Sequence, residues 1–473
     1  MVFSVEVSRW IFALAKLLKL NRLNMAVYGL FALTGLTFFG GVDEIGGNKI
    51  LLEDKGTKVL LDFGQSFSFG SGYLAGWLQP RGVNGLGDYF QFDLLPRIKG
   101  LYSKEQLAST DLAYAEPEIS AVFVSHAHFD HINHLQFLDP AIPVYMGVGT
   151  KLFMESMEET SSFCDYGEHT CNRFRTGDKI KVDGLVVEPV AVDHSIPAAY
   201  GFIIHTSAGP VVYTGDLRRH GPRKDLTENF IEKAKAAEPV ALITEGTRMA
   251  QTENRQNYSE PQVRKLANDV VASSGKAVFT ARYSRDIDRF GSFYKVAKRN
   301  NRKLVISPKT AHLLTKLLND EHLSVPDPLK DPDILVYYKR KKSASHDEKD
   351  YFVWEREFMD KMATHDYITK NQKNLIMDLD FTQFTELIDI QPDSGCHFIH
   401  SMSEPFSERN PQRTTTSTTG APRGQWGRKL PDSNASGVGG AFLLNGSQRL
   451  HCKQRREIHK PIYRKSQQEN YRR

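Results

Sequence analysis

The chain has 473 residues, of which 40% are hydrophobic and 25% are charged. This length is enough for about three average domains, or two with extensions, and the composition is that of a soluble globular protein. The four cysteines form no CxxC pair, which excludes a zinc ribbon and a disulfide scaffold. This use of cysteine fits a reducing, cytoplasmic location.

The formal net charge of +5 is unevenly distributed along the chain. Residues 409–473 carry 14 basic and 3 acidic side chains, whereas residues 1–408 carry 47 basic and 53 acidic side chains. The larger part of the chain is therefore mildly acidic. The basic overall charge is no evidence for nucleic-acid binding, because one atypical segment sets its sign.

Residues 1–35 are interpreted as an N-terminal extension. Basic residues precede an uncharged run of 18 residues from Met25 to Val42, as in a signal peptide or membrane anchor. Residues 36–41 of that run read better as the first strand of a domain, which leaves about ten residues, too few to span a bilayer. We expect no membrane association. The alternative is that translation starts at Met25 or later.

Four apolar segments of strand type end on polar side chains. They are residues 56–64 with Asp62, residues 121–124 before His126, residues 185–192 before His194, and residues 210–213 before Asp216. Ligands gather at strand ends in layered α/β folds, so these four polar positions together predict one site.

An HxHxDH run occupies residues 126–131, on the turn that leaves an apolar strand. A single histidine in such a place is more often structural, but imidazoles and a carboxylate at this spacing can converge on one point. The sequence therefore predicts a site for two metals. The predicted ligands are His126, His128 and His194 for the first metal, Asp130 and His131 for the second, and Asp216 as a bridge between them.

Nitrogen and oxygen ligands without thiolate suit Zn²⁺, with Mn²⁺ as the alternative. Two such ions, about 3.5–4 Å apart, activate a bridging water for hydrolysis and stabilise charge on a phosphate or carbonyl oxygen. Asp62 is the candidate partner that orients a ligand histidine. Its alternative role is that of an ordinary turn residue.

The middle of the chain alternates between strand and helix patterns. We predict a strand ending on Glu245, helices over residues 260–273 and 284–298, and strands over residues 277–280 and 303–307. The sequences TEGT at residues 244–247, TARYSRDIDR at residues 280–289 and GGVDEIGGN at residues 40–48 resemble those of β-CASP nucleases. Among these proteins the chain is most similar to the ribonuclease J-type enzymes, over about residues 36–408.

This resemblance implies an α/β fold in which a metallo-β-lactamase αββα sandwich (residues 36–238) carries an inserted β-CASP domain (residues 239–393). It also implies that the protein hydrolyses phosphodiester bonds, as an endonuclease or an exonuclease. The implied substrate is single-stranded RNA held between the two domains. A homodimer is a further expectation. The residues implied are Asp62, Asp130 and Glu245 for catalysis, and Arg282 and Ser284 for contacts to the nucleic-acid backbone. For the last two, a surface turn is the alternative.

The resemblance stops near residue 408. Relatives close the hydrolase domain with an SGH-type segment and a His-Gly pair, which supply a substrate-facing histidine and the last ligand of the second metal. The sequence SGCH at residues 394–397 resembles the first only superficially. We interpret residues 394–408 as a turn and a return strand, from His397 to Ser401, that re-enters the hydrolase domain.

Residues 409–473 form a basic tail of low complexity. We interpret them as the product of a shifted reading frame, which translation of the coding DNA in the other frames from codon 409 tests. The alternatives are a solvated tail and a nucleic-acid-binding tail. On our interpretation the C-terminal closing part of the hydrolase domain is missing and the second metal site is incomplete.

The sequence thus favours a zinc-dependent hydrolase of RNA. Two alternatives remain. One is a small-molecule hydrolase of the same fold, which would have no need of so large an insertion. The other is a catalytically impaired, RNA-binding relative that lacks the closing segment.

Overall fold

The computed structural model describes residues 2–3, 34–70, 79–246, 258–402 and 441–445. Within these residues the chain forms three β-sheets with helices packed on them, so the predicted α/β class is confirmed. Most of the predicted N-terminal extension and of the predicted tail lies outside the described residues. In the described part of the chain, no helix is long and apolar enough to cross a bilayer.

The first sheet has seven described strands, which lie in chain order from edge to edge. They are β1 (Val2–Phe3), β2 (Gly35–Gly40), β3 (Lys49–Asp54), β4 (Thr57–Phe63), β5 (Ala121–Val124), β6 (Val144–Gly147) and β7 (Cys171–Phe174). β4 to β7 are parallel to one another. The carboxyl ends of β4 and β5, which carry Asp62 and the HxHxDH run, therefore lie at the same edge.

The second sheet has six described strands in the order β19-β12-β11-β10-β9-β8. They are β8 (Ile180–Val182), β9 (Leu185–Val192), β10 (Ala199–Thr206), β11 (Gly209–Tyr213), β12 (Ala241–Glu245) and β19 (Ala441–Asn445). β9, β11 and β12 run in the same direction, so their carboxyl ends share one edge. β19 pairs antiparallel with β12. It lies in the predicted tail, where the sequence predicted no strand.

These two sheets pack face to face. Phe123 of β5 and Phe202 of β10 meet at the interface with ring centroids 5.7 Å apart. Helices cover the outer faces: Phe153 packs on the first sheet and Phe230 on the second. We call residues 34–246 of this four-layer sandwich the double-sheet unit.

The third sheet has six described strands, all parallel, in the order β16-β15-β14-β17-β13-β18. They are β13 (Val278–Arg282), β14 (Lys303–Ile306), β15 (Ile334–Tyr337), β16 (Met362–Ala363), β17 (Leu375–Asp378) and β18 (His397–Ser401). Their carboxyl ends all lie at one edge. We call residues 258–402, which include this sheet and its helices, the parallel-sheet unit.

The α-helices connect the strands and cover the sheets. They are α1 (Gly87–Gln91), α2 (Lys104–Leu107), α3 (Phe129–Ile132), α4 (Val148–Thr160), α5 (Lys224–Ala236), α6 (Glu260–Ser273), α7 (Ile287–Arg299), α8 (Pro308–Leu317), α9 (Val353–Arg356), α10 (His365–Asn371) and α11 (Glu386–Ile390). α6 has the predicted bounds. α7 begins later than predicted because Asp286 is its N-cap and accepts a hydrogen bond from the Arg289 backbone N–H.

One strand prediction is wrong. The strand from His397 to Ser401 was assigned to the hydrolase domain, but in the structure it pairs in parallel with β13 at the edge of the third sheet. A five-residue strand can complete any open sheet edge, and its side-chain pattern carries no information about its partner. The available edge of β13 decided its position.

Buried ion pairs join the two units. Arg218 follows β11 in the double-sheet unit, and its Nε lies 3.1 Å from Asp193 Oδ1. The same guanidinium donates to Asp288 of α7 in the parallel-sheet unit. Arg218 and Asp193 are buried, and Asp288, which makes the contact between the units, is partly exposed.

We expect Arg218→Met to lower the free energy of unfolding by about 3–5 kcal/mol, because it leaves the buried Asp193 and the partly exposed Asp288 without their cation. The matched control is Arg219→Met, whose exposed pair with Glu228 is worth about 0–1 kcal/mol. Urea unfolding followed by circular dichroism measures both. Equal midpoints for the two variants would contradict a stabilising role for Arg218.

Candidate metal centre

The first group of candidate ligands combines three loops that are far apart in the sequence. His126, His128, His194 and Asp216 are buried, and their donor atoms lie within 4.8 Å of one another. His128 Nδ1 is 2.9 Å from His126 Nε2 and 3.0 Å from His194 Nε2. Asp216 Oδ2 is 4.0 Å and 3.8 Å from the same two Nε2 atoms. Four converging donors match the tetrahedral coordination of zinc.

The second group consists of Asp130, His131 and Asp216. His131 Nε2 lies 3.4 Å from Asp130 Oδ2 and 3.4 Å from Asp216 Oδ1. Asp216 therefore turns Oδ2 towards the first group and Oδ1 towards the second. This is the position of a bridging carboxylate, so the structure brings together all six predicted ligands.

Asp62 holds His131 from the side opposite the ligand atoms. Its Oδ2 lies 2.7 Å from His131 Nδ1 and accepts hydrogen bonds from Ser125 Oγ at 2.8 Å and from the Tyr213 hydroxyl at 2.5 Å. Its Oδ1 accepts one from the Ser125 backbone N–H at 2.7 Å. When His131 Nδ1 carries the proton, the lone pair of Nε2 is available to bind a metal. A carboxylate that accepts this proton's hydrogen bond thereby orients a metal-binding histidine.

The residues present fit a pair of divalent cations. Asp130 Oδ2 and Asp216 Oδ2 are buried and accept no hydrogen bond from any described residue. Buried carboxylate oxygens without a partner are costly, whereas cations placed between the two groups would engage both. The donor set contains nitrogen and oxygen and no sulfur, which suits Zn²⁺ or Mn²⁺.

Burial controls the protonation of these groups. It lowers the pKa of His126 and His194 well below its usual value and that of His128 to about 3, so these imidazoles are neutral and can act as ligands. It raises the pKa of Asp216 well above its usual range. For His131, burial acts to lower the pKa, but Asp130 and Asp62 outweigh it and raise the pKa well above normal.

The turn that carries the HxHxDH run packs tightly against the backbone of the double-sheet unit. A Cβ atom on Gly64 would lie 1.8 Å from the Asp130 carbonyl oxygen, and one on Gly46 would lie 2.5 Å from Asp130 Cβ. The Asn48 backbone N–H donates to the Asp130 carbonyl at 3.1 Å. The GGVDEIGGN segment therefore packs against the turn that carries Asp130 and helps to hold the candidate ligands in position.

Several neighbours of the site had no role assigned from the sequence. Asn48 Nδ2 lies 3.2 Å from His131 Nε2, and Ser125 and Tyr213 bind Asp62. The Tyr283 ring, on the loop after β13, lies 6.2 Å from the His128 ring. Asn48 and Tyr283 lie in the GGVDEIGGN and TARYSRDIDR motifs, which were the signals for them. Ser125 and Tyr213 come from strand ends whose packing is not local in sequence.

Glu245 and Arg282 hold loops in place through hydrogen bonds to the backbone. Glu245 Oε1 accepts a hydrogen bond from the Leu217 backbone N–H at 3.1 Å, next to Asp216. The buried Arg282 donates from Nε to Asp378 Oδ2 at 2.8 Å and from Nη1 to the carbonyls of Tyr283 and Ser284, both at 3.3 Å. The catalytic and substrate-binding roles of these two residues stay predictions.

Ser284 and the SGCH segment lie in different places. Ser284 is exposed and lines a cleft of about 1150 Å³ between the two units. His397 lies at the amino end of β18, with Nδ1 at 3.2 Å from Ser274 Oγ. The cleft opens at the carboxyl edge of the sheet, and His397 does not line it.

Comparison with known proteins places this site in a family context. Residues 101–258 match the model of the Beta-lactamase superfamily domain. Ribonuclease J of Sinorhizobium meliloti is 28% identical over 202 residues, which are 41% of this chain and 35% of that protein. Ribonuclease J of Pyrococcus abyssi is 28% identical over 199 residues, covering 40% of this chain and 43% of that protein. The chain thus matches less than half of the length of these relatives.

A solved structure extends the fold comparison over more of the chain. A protein of unknown function from Enterococcus faecalis is 24% identical, with a TM-score of 0.62 over 81% of this chain and 84% of that one. The predicted resemblance to ribonuclease J-like proteins of the metallo-β-lactamase fold is confirmed.

We expect Asp62→Asn to weaken Zn²⁺ binding by about 10- to 100-fold, because it removes the charge that orients His131. Asp54→Asn is a matched control, since Asp54 is also buried but bonds to Thr34 and Ser207 away from the candidate ligands. Competition with a chromogenic chelator measures the affinity. Equal affinities of the two variants would show that Asp62 has no influence on the metal.

We also expect Zn²⁺ binding to release protons and to weaken as the pH falls. The raised pKa values of His131 and Asp216 mean that the metal-free site retains protons near neutral pH, which the cation must displace. Calorimetric titrations in buffers with different ionisation enthalpies count these protons. A binding heat independent of the buffer, with an affinity that is constant between about pH 6 and 8, would refute this expectation.

Proposed function

Because the chain carries a metallo-β-lactamase domain and resembles ribonuclease J, we propose that it is a two-metal phosphodiester hydrolase that acts on single-stranded RNA. Its cations would be Zn²⁺, with Mn²⁺ as the alternative. His126, His128, His194 and Asp216 would hold the first cation. Asp130, His131 and Asp216 would hold the second.

The observation that carries this proposal is the shared Asp216 carboxylate. Its two oxygens face two separate ligand groups, and a single structural ion would need only one of them. Two bound cations would supply a nucleophilic water near neutral pH and neutralise charge that develops on the phosphate. A second carboxylate, Asp62, keeps His131 in the orientation that this arrangement requires.

The protein's own residues keep the candidate ligands in place and exclude water. All six of these side chains are buried, so few rotamers are open to them. Glu245 fixes the loop that follows Asp216 through its bond to the Leu217 backbone N–H. Such preorganisation lowers the cost of reaching the reactive geometry.

The choice of a polymeric substrate is supported by the cleft between the units. Its volume of about 1150 Å³ exceeds that of a typical small-molecule pocket, about 300–1,000 Å³. Ser284 and Arg285 line it, and the neighbouring Tyr283 contacts the ligand His128. The cleft therefore adjoins the candidate metal centre. RNA is favoured over other polymers because the similar proteins are named ribonucleases.

A catalytically impaired, RNA-binding relative is the second candidate. The second ligand group contains three described side chains, Asp130, His131 and the shared Asp216. A weakly held second cation would leave RNA binding intact and hydrolysis slow.

The test combines metal analysis with cleavage of end-labelled single-stranded RNA. We expect two zinc ions per chain and cleavage that is lost with a chelator and restored by Zn²⁺ or Mn²⁺. Asp216→Asn should lower the rate by roughly 1000-fold or more, because it affects both ligand groups. Asp54→Asn, at a buried carboxylate outside the site, should retain the wild-type rate.

Other outcomes would replace the proposal. One zinc or none, with RNA bound but uncleaved, would indicate the impaired relative. Hydrolysis of a lactone by a chain that leaves RNA intact would indicate a small-molecule hydrolase.

A further inference from the structure

We propose that Phe352 and Trp354 form a stacking platform for the bases of single-stranded RNA on the wall of the cleft. This second binding site deepens the proposed function and rests on it. It identifies how the parallel-sheet unit holds a part of the substrate that does not contact the candidate metal ligands.

The platform belongs to the same cleft as the loop beside the metal centre. Phe352 and Trp354 line this cleft together with Ser284 and Arg285. Between Ser284 and the end of β13 lies Tyr283, whose ring contacts His128. A single strand lying in the cleft would therefore pass both the loop that contacts His128 and the two rings.

The two rings are arranged to receive flat partners. They lie nearly parallel, with an interplanar angle of 8° and a centroid distance of 6.3 Å. Phe352 is 67% exposed and the intervening Val353 is 75% exposed. Large apolar side chains that are so exposed next to each other mark an interaction site more often than a surface without function.

Contacts hold the Trp354 ring and the Phe352 backbone in place. Trp354 packs edge-on against the His312 ring, with centroids 5.7 Å apart. His312 lies 3.0 Å from Ser156 Oγ and 3.0 Å from Glu159 Oε2, both on α4 of the double-sheet unit. The Phe352 backbone N–H donates to Glu355 Oε2 at 2.8 Å, which fixes the start of α9. A ring that is already fixed, like that of Trp354, loses little entropy when a base stacks on it.

Cations lie beside the rings. Lys341 Nζ is 5.0 Å from the centre of the Phe352 ring. Lys309 and Lys339 also line the cleft, are exposed, and have no acidic partner in the described part of the chain.

Three of the five acidic side chains that line the cleft are engaged by a cation: Glu159 by Lys316, Glu355 by Lys341 and Asp378 by Arg282. The other two, Glu158 and Asp380, accept hydrogen bonds from the Tyr166 backbone N–H and the Thr382 backbone N–H. The two unpaired lysines can therefore meet phosphates. Aromatic rings that stack bases, flanked by cations that follow the backbone, are the usual combination for binding single strands without sequence preference.

The experiment compares the affinity of the zinc-loaded full chain for two ligands by fluorescence anisotropy. One is a labelled single-stranded RNA of about 16 nucleotides whose phosphorothioate linkages resist hydrolysis, so that the zinc-loaded chain binds it without cleaving it. The other is an abasic oligomer of equal length, which has the phosphates but no bases. The variants are Phe352→Ala, Trp354→Ala and Trp354→Phe. The matched control is Ile388→Ala, which is 73% exposed on α11 of the same unit and does not line the cleft.

We expect each alanine variant to lose about tenfold or more in affinity for RNA and to bind the abasic oligomer as the wild type does. Trp354→Phe retains an aromatic face and should keep most of the affinity. Ile388→Ala should match the wild type. Because Phe352 is mostly exposed, its variant separates a loss of stacking from a loss of folding.

The platform would be refuted by unchanged RNA affinity in both alanine variants, or by equal losses for RNA and the abasic oligomer. Unchanged RNA affinity with an altered oligomeric state would assign the rings to a contact between copies of the chain. RNA that binds through the rings but is never cleaved would support the platform and refute the proposed hydrolase function. RNA cleavage by the wild type, with an RNA affinity unaffected by these substitutions, would support the hydrolase function and refute the platform.

Discussion

The buried carboxylate of Asp216 is the group on which the arrangement of the double-sheet unit depends. Its two oxygens face different sets of side chains, and Oδ2 accepts no hydrogen bond from the described residues. A carboxylate in such a place is unfavourable unless cations or protons accompany it. The strand ends that meet here therefore form a place where bound protons or cations are strongly favoured. The raised pKa values of Asp216 and His131 have this cause.

The same region connects the candidate metal centre to the parallel-sheet unit. Asp193 immediately precedes the candidate ligand His194, and Arg218 follows Asp216 by two residues. These two residues bind each other, and Arg218 also binds Asp288 of the other unit. The loops that carry candidate ligands thus also hold the second unit. This contact between the units is a physical reason to expect that binding in the cleft and events at the candidate ligands are coupled.

Patterns that are local in sequence predicted much of this protein. The HxHxDH run, the strands ending near Asp62, His194 and Asp216, and the helix over residues 260–273 all occupy their predicted places. The partner of the strand from His397 to Ser401 was predicted wrongly, and the strand from Ala441 to Asn445 was not predicted. Alternating side chains reveal that a segment is a strand, but the choice of a sheet edge depends on which edges the rest of the fold leaves open.

The sequence by itself determined the kinds of donor atoms, their spacing on one turn and the resemblance to ribonuclease J-like proteins. Residue types and short spacings are enough for that, because they are chemical properties of a few neighbouring side chains. Only the tertiary structure decided that Asp216 turns one oxygen to each ligand group, that Arg282 pairs with Asp378, and that the exposed Phe352 and the half-buried Trp354 line a cleft. These features join residues that are tens to hundreds of positions apart, and packing alone brings them into contact.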